Sequence, residues 1–171
     1  MRTKRMKKVQ KMLAVLLIFS FVTIYMIPFE AAAKKTSAAM VSAAQKGAGK
    51  NYPFTASNRK TSNRMLFGVM TSRLKDYAAY EKISGSGNNT AEYLLFVGKA
   101  SSSAVAKRNA SSLKRYVDRE YSSMGNYLSA DGKKLFQGAK TGSKGKWCWL
   151  VMVSPSAKVN KKALKAMKKK M

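Results

Sequence analysis

The run Trp147-Cys-Trp-Leu-Val-Met-Val153 constrains the fold of this chain more than any other stretch. Alternate side chains of a strand point to opposite faces, which puts Trp147, Trp149, Val151 and Val153 on one side and Cys148, Leu150 and Met152 on the other. Both faces are apolar, so the run is expected to be a central strand. Tyr93-Leu-Leu-Phe-Val97 is a second apolar run, stopping at Gly98, and reads as a strand buried on both faces. Between the two, Ser102 offers an N-cap, and Ala106, Ala110, Leu113, Val117, Tyr121 and Met124 recur every three or four residues. That stripe is one face of an amphipathic helix of about six turns, with Lys107, Arg108, Lys114, Arg115, Asp118 and Arg119 on its other face.

The remaining signals are weaker. Residues 37–46 read as a short helix capped by Ser37 and ended by Gly47 and Gly49, and residues 50–64 as a polar linker around Pro53. Residues 65–70 fit a strand or a helix start, residues 72–79 a helix, and residues 85–89 a turn. Residues 126–146 form a polar connection with one helical turn near Lys133 to Gln137. Ser154-Pro155 then opens a final helix over residues 156–169, with Val159, Ala163, Ala166 and Met167 on one side. These elements predict an α+β fold: a small two-layer domain in which a sheet carries the long helix and the C-terminal helix. Parallel strands joined by a right-handed crossover and an antiparallel arrangement both fit the spacing. The expected division is a leader (1–33), a short helix and linker (34–64), the α+β domain (65–157) and a Lys-rich helix end (158–171).

The leader carries six Lys/Arg up to Lys11, an apolar run over residues 12–29, and Ala31-Ala32-Ala33 before Lys34. A charged start, an apolar run and small residues at the cleavage positions make a secretory signal peptide, cut after Ala33. The rival reading is an uncleaved anchor over residues 12–29. In both cases the domain lies outside the cytoplasmic membrane, secreted or at the cell surface. After Ala33 the chain keeps 28 Lys/Arg against six Asp/Glu, a net charge of +22, which predicts attraction to polyanions. The single cysteine, Cys148, permits no internal disulfide, so stability rests on packing. An exported chain with a basic leader and no disulfide reads as bacterial.

The order of elements resembles the bacterial family known as domain of unknown function 4358, found in secreted proteins and lipoproteins of Gram-positive bacteria. The residues that carry the likeness are Lys75-Asp76-Tyr77 and Ala91-Glu92-Tyr-Leu-Leu-Phe-Val-Gly-Lys99, the latter similar to the family's A-E-E-I-x-V-x-K stretch. The long charged helix, Tyr127-Leu128 and Gly145-Lys146-x-x-x-Leu150-Val151-x-Val153-Ser154 continue it, over roughly half of the chain. The resemblance implies an extracytoplasmic domain with a sheet and helices, and it brings no activity, cofactor or catalytic residue. This chain departs from the family in lacking the lipoprotein cysteine and in its far more basic charge.

With no histidine, Ser-His-Asp and Cys-His catalysis and imidazole zinc sites are excluded, and one cysteine excludes thiolate cages. Cys148 reads as a core residue, not a nucleophile. The six acids Asp76, Glu81, Glu92, Asp118, Glu120 and Asp131 read as ion-pair partners, with a glycosidase-like carboxylate pair as the competing assignment. The glycine clusters at Gly47 to Lys50 and Gly138 to Lys144 lack phosphate-loop spacing. Trp147 and Trp149 read as core, against a stacking platform for bases or sugars. No catalytic, cofactor or metal site is therefore expected. The candidate site is a polyanion-binding face made by Lys158, Lys161, Lys162, Lys165, Lys168, Lys169 and Lys170, with no acid among them, the competing assignment being a solvated helix end. Its expected partner is an anionic cell-wall polymer or a membrane surface, ahead of nucleic acid. The functional alternatives are a carboxylate-dependent enzyme on wall carbohydrate and a secreted nucleic-acid binder.

Overall fold

A computed structural model describes residues 35–171, which form one compact unit. The expected signal peptide or anchor lies outside the described residues. In chain order the unit contains α1 (Ser37–Ala48), β1 (Arg59–Lys60), β2 (Met65–Leu66), β3 (Val69–Met70), β4 (Leu74–Ser84) and β5 (Ala91–Ala100). Then follow α2 (Ser103–Met124), α3 (Ala130–Gln137), β6 (Lys140–Lys144), β7 (Trp147–Met152) and α4 (Ala157–Lys168). Five strands make an antiparallel sheet in the order β1-β4-β5-β7-β6, so the fold is α+β and the crossover of parallel strands does not occur.

Register divides the sheet into two apolar faces. Leu94, Phe96, Cys148, Leu150 and Met152 face α2, which contributes Ala106, Leu113 and Val117, and α3, which contributes Leu135 and Phe136. Leu95, Val97, Trp147, Trp149, Val151 and Val153 face α1 and α4, which contribute Met40, Val41, Ala44, Ala163 and Met167. The long helix and the C-terminal helix are both packed on the sheet, but on opposite faces, and the layers number three where two were expected. The reason is in β5 and β7: strands that are apolar on both sides need cover on both sides. The segments read as flanking a domain at 34–64 and 158–171 supply that second helical layer.

Three local expectations change. The helix expected over residues 72–79 does not form: residues 71–73 make a single 3-10 turn and residues 74–79 open β4, whose residues pair with β5 from Leu74↔Ala100 to Ser84↔Ala91. Their sequence suits a helix, and pairing along a whole strand overrides that preference. Residues 50–64 are no free linker, since Arg59 and Lys60 pair with Tyr80 and Ala79, and Phe54 is buried against Tyr52 and Tyr80. Gly47 does not end α1. The α4 backbone crosses there, and a Cβ at Gly47 would lie 2.8 Å from the Lys162 carbonyl oxygen and 2.9 Å from Ala166 Cβ. The α1 N-terminus is capped by Thr36 and by Asp76, whose carboxylate accepts from the Ser37 N–H at 2.6 Å and from its hydroxyl at 2.7 Å.

Asn160 is the most connected polar side chain of the interior. It is fully buried, accepts from the N–H groups of Val153 and Ser154 at 3.0 Å each, and donates to the carbonyls of Ser154 at 2.9 Å and Gly138 at 3.2 Å. One amide thus ties the first turn of α4 to the end of β7 and to the residue that ends α3.

Candidate functional site

The seven lysines proposed from the sequence all lie on α4 or just beyond it, and the helix sorts them. Ala163 and Met167 face the sheet. Lys161, Lys165, Lys168 and Lys169 fall on one flank at helical spacing and join Lys144 around an open groove of about 550 Å³ whose floor includes Leu164. Lys158, Lys162 and Lys170 are exposed and lie outside it. Lys144 comes from the end of β6, where it opposes Trp147 and so shares the α4 face of the sheet. Its participation was not legible from the helix pattern; an edge strand of alternating polar residues next to the Trp run was the only hint.

One of the groove's lysines, Lys168, lies over the buried Trp149. This indole is 2 % exposed, with Gly142 of β6 directly opposite. A Cβ at Gly142 would sit 2.8 Å from the indole carbon Cζ2. The Lys168 ammonium lies 4.7 Å from the ring centroid of Trp149, and Lys99 caps Trp147 in the same way at 5.6 Å. Both tryptophans are buried, which removes the stacking-platform reading. Lys168 is correspondingly only half exposed, so its charge is placed by the core rather than left to wander.

The acids are committed elsewhere. Asp76 caps α1, Lys60 pairs with Glu81 at 2.6 Å, Lys114 with Asp118 at 2.7 Å, Arg119 with Glu120 at 3.0 Å and Lys134 with Asp131 at 3.3 Å. Glu92 is the exception. Only 4 % exposed, it lies diagonal to Glu81 on the α2 face, and its carboxyl is pushed up to about 7 by burial, by the charges of Glu81 and Glu120, and by a hydrogen bond to Glu81. Burial and the same three acids also raise the nearby Tyr116 hydroxyl, which keeps it protonated. A carboxyl sealed under α2 has no approach for a sugar polymer, which sets this pair apart from a glycosidase arrangement. Cys148 donates weakly to the Gly98 carbonyl at 3.5 Å, and burial pushes its thiol up to about 11, as in an inert core cysteine.

Glu92 makes stability depend on pH in a direction opposite to the usual carboxylate. Its folded pKa lies above the unfolded value, so the fold binds the proton more tightly. The stabilisation is complete below about pH 4.5 and is lost as pH rises through about 7, by up to about 3 kcal/mol. Urea melts of wild type and Glu92→Gln at pH 5 and pH 8 measure it. The variant is expected to gain on the wild type at pH 8; a wild type that loses nothing relative to the variant between the two pH values would refute the assignment.

Among the described residues no cluster of His, Cys, Asp and Glu could hold a metal ion, and no helix is long and apolar enough to cross a membrane. The chain matches no protein-family model, no curated protein and no solved structure.

Proposed function

We propose that this is a non-enzymatic, extracytoplasmic bacterial binding domain that associates through its basic surface with anionic cell-wall polymers or membrane headgroups. The observation that carries the reading is the concentration of lysine on and beside α4, where five ammonium groups rim one groove that no acid lines. Charge at that density raises the local concentration of any polyanion and adds attraction at a negative surface. The basic leader, the apolar run after it and Ala31-Ala32-Ala33 support the location. The commitment of Asp76, Glu81, Asp118, Glu120 and Asp131 to caps and ion pairs weighs against a carboxylate-dependent enzyme.

Electrostatic attachment has a signature in salt. Binding to isolated cell walls or anionic vesicles is expected to fall steeply between roughly 50 mM and 500 mM salt, because each neutralised phosphate releases a condensed counterion. Replacing Lys161, Lys162, Lys165, Lys168, Lys169 and Lys170 by Gln should flatten that slope and weaken binding at low salt. Sedimentation with walls, with and without their anionic polymers, measures both. Binding that ignores salt would overturn the reading.

A further inference from the structure

We infer that the groove between β6 and α4 is a seat for a single anionic amphiphile, a membrane phospholipid whose phosphate meets the lysine rim and whose first acyl methylenes lie on the groove floor. This rests on the polyanion reading above and narrows it to one site and one partner. Two features favour a lipid over a soluble polymer. The groove is lined mainly by carbon, from Leu164 and the methylene stems of Lys161, Lys165 and Lys168, while the charge stands at the rim. A soluble phosphate polymer would use the ammonium groups and leave the apolar floor wet; an amphiphile uses both. In addition, the rim is assembled from two elements, Lys144 on a strand and the others on a helix, and Lys168 is positioned by its contact with Trp149. One ammonium held in place gives a headgroup a fixed point of contact at lower entropic cost than a free lysine would.

Equal charge removed at different places tests this. In residues 35–171, the compact unit that holds the whole sheet and both cores, one variant carries Lys144→Gln, Lys161→Gln and Lys165→Gln inside the groove. The other carries Lys158→Gln, Lys162→Gln and Lys170→Gln outside it. Partition into phosphatidylglycerol vesicles is expected to drop about 100-fold for the first and less than about threefold for the second, since each Lys near the surface contributes about 1 kcal/mol. Leu164→Gln should weaken vesicle binding and leave binding to soluble poly(glycerol phosphate) unchanged. Thermal melts of each variant establish that the fold is intact, and the lysine variants stand even where Leu164→Gln does not fold. Equal losses for the two lysine variants would overturn the groove and leave the general polyanion reading standing. A larger loss for the inner variant, with soluble polymer bound as tightly as vesicles and no effect of Leu164→Gln on either, would overturn the amphiphile in favour of a polymer. Failure of the wild type to bind any anionic surface would remove both readings.

Discussion

Leu113→Asp is expected to abolish cooperative folding. Leu113 is fully buried in the middle of α2, against the face formed by Leu94, Phe96, Cys148 and Leu150. Truncating such a leucine costs about 2–5 kcal/mol in lost apolar contact and cavity, and leaving a carboxyl with no partner there adds several more. The sum is comparable to the whole stability of an ordinary domain, about 5–15 kcal/mol. The next residue makes the control: Lys114 is exposed and holds Asp118 in a surface pair, so Lys114→Gln is expected to cost less than about 1 kcal/mol. Circular dichroism melts of the two variants decide it, and small, equal losses would mean that α2 does not bury this face.

Asn160→Ala is expected to have the second largest effect, although only one amide is lost. The alanine leaves the N–H groups of Val153 and Ser154 and the carbonyls of Ser154 and Gly138 without their partner in a site closed to water. Each unsatisfied buried group costs about 1–3 kcal/mol, and partial relaxation brings the expected loss to about 4 kcal/mol. The melting temperature should fall by roughly 10 °C or more. Asn160→Asp is expected to melt no higher than alanine at neutral pH, since a carboxylate keeps both acceptor contacts but sets an unpaired buried charge against the carbonyls of Ser154 and Gly138. A wild-type melting temperature for Asn160→Ala would show that the α3, β7 and α4 junction is held by packing alone.

What was legible in the sequence follows from how local each signal is. The two doubly apolar runs and the three-four stripe of α2 announce themselves over a few turns or strand residues, and they became β7, β5 and α2. The layer count follows from those same runs once both faces are required to be covered. β4 is hidden because Leu74 to Ala79 is a good helical sequence, and only its ten-residue partner β5 makes it a strand. β6 gives no signal because Lys-Thr-Gly-Ser-Lys has no apolar alternation; it is an edge strand whose Gly142 makes room for Trp149. Of the candidate site, the helical lysines could be named from spacing, but their division into groove and non-groove residues could not. That division depends on Lys144, distant in sequence and brought to the site by the β6–β7 register. Asn160 gave no signal either, since a lone Asn inside a helix looks like a surface residue until its four partners are placed around it.

Among the described residues the sheet ends on two basic edge strands: β1 is the dipeptide Arg59–Lys60, and β6 begins and ends on lysine. Short or lysine-bearing edges keep one sheet from adding to the next, because pairing would stack like charges a strand width apart. Colloidal stability and the proposed surface attachment therefore draw on the same side chains. Where molecules crowd on an anionic layer and Lys144 is neutralised, the repulsion between β6 edges is weakest, so the bound layer, and not the free solution, is where strand-to-strand association between copies meets least resistance.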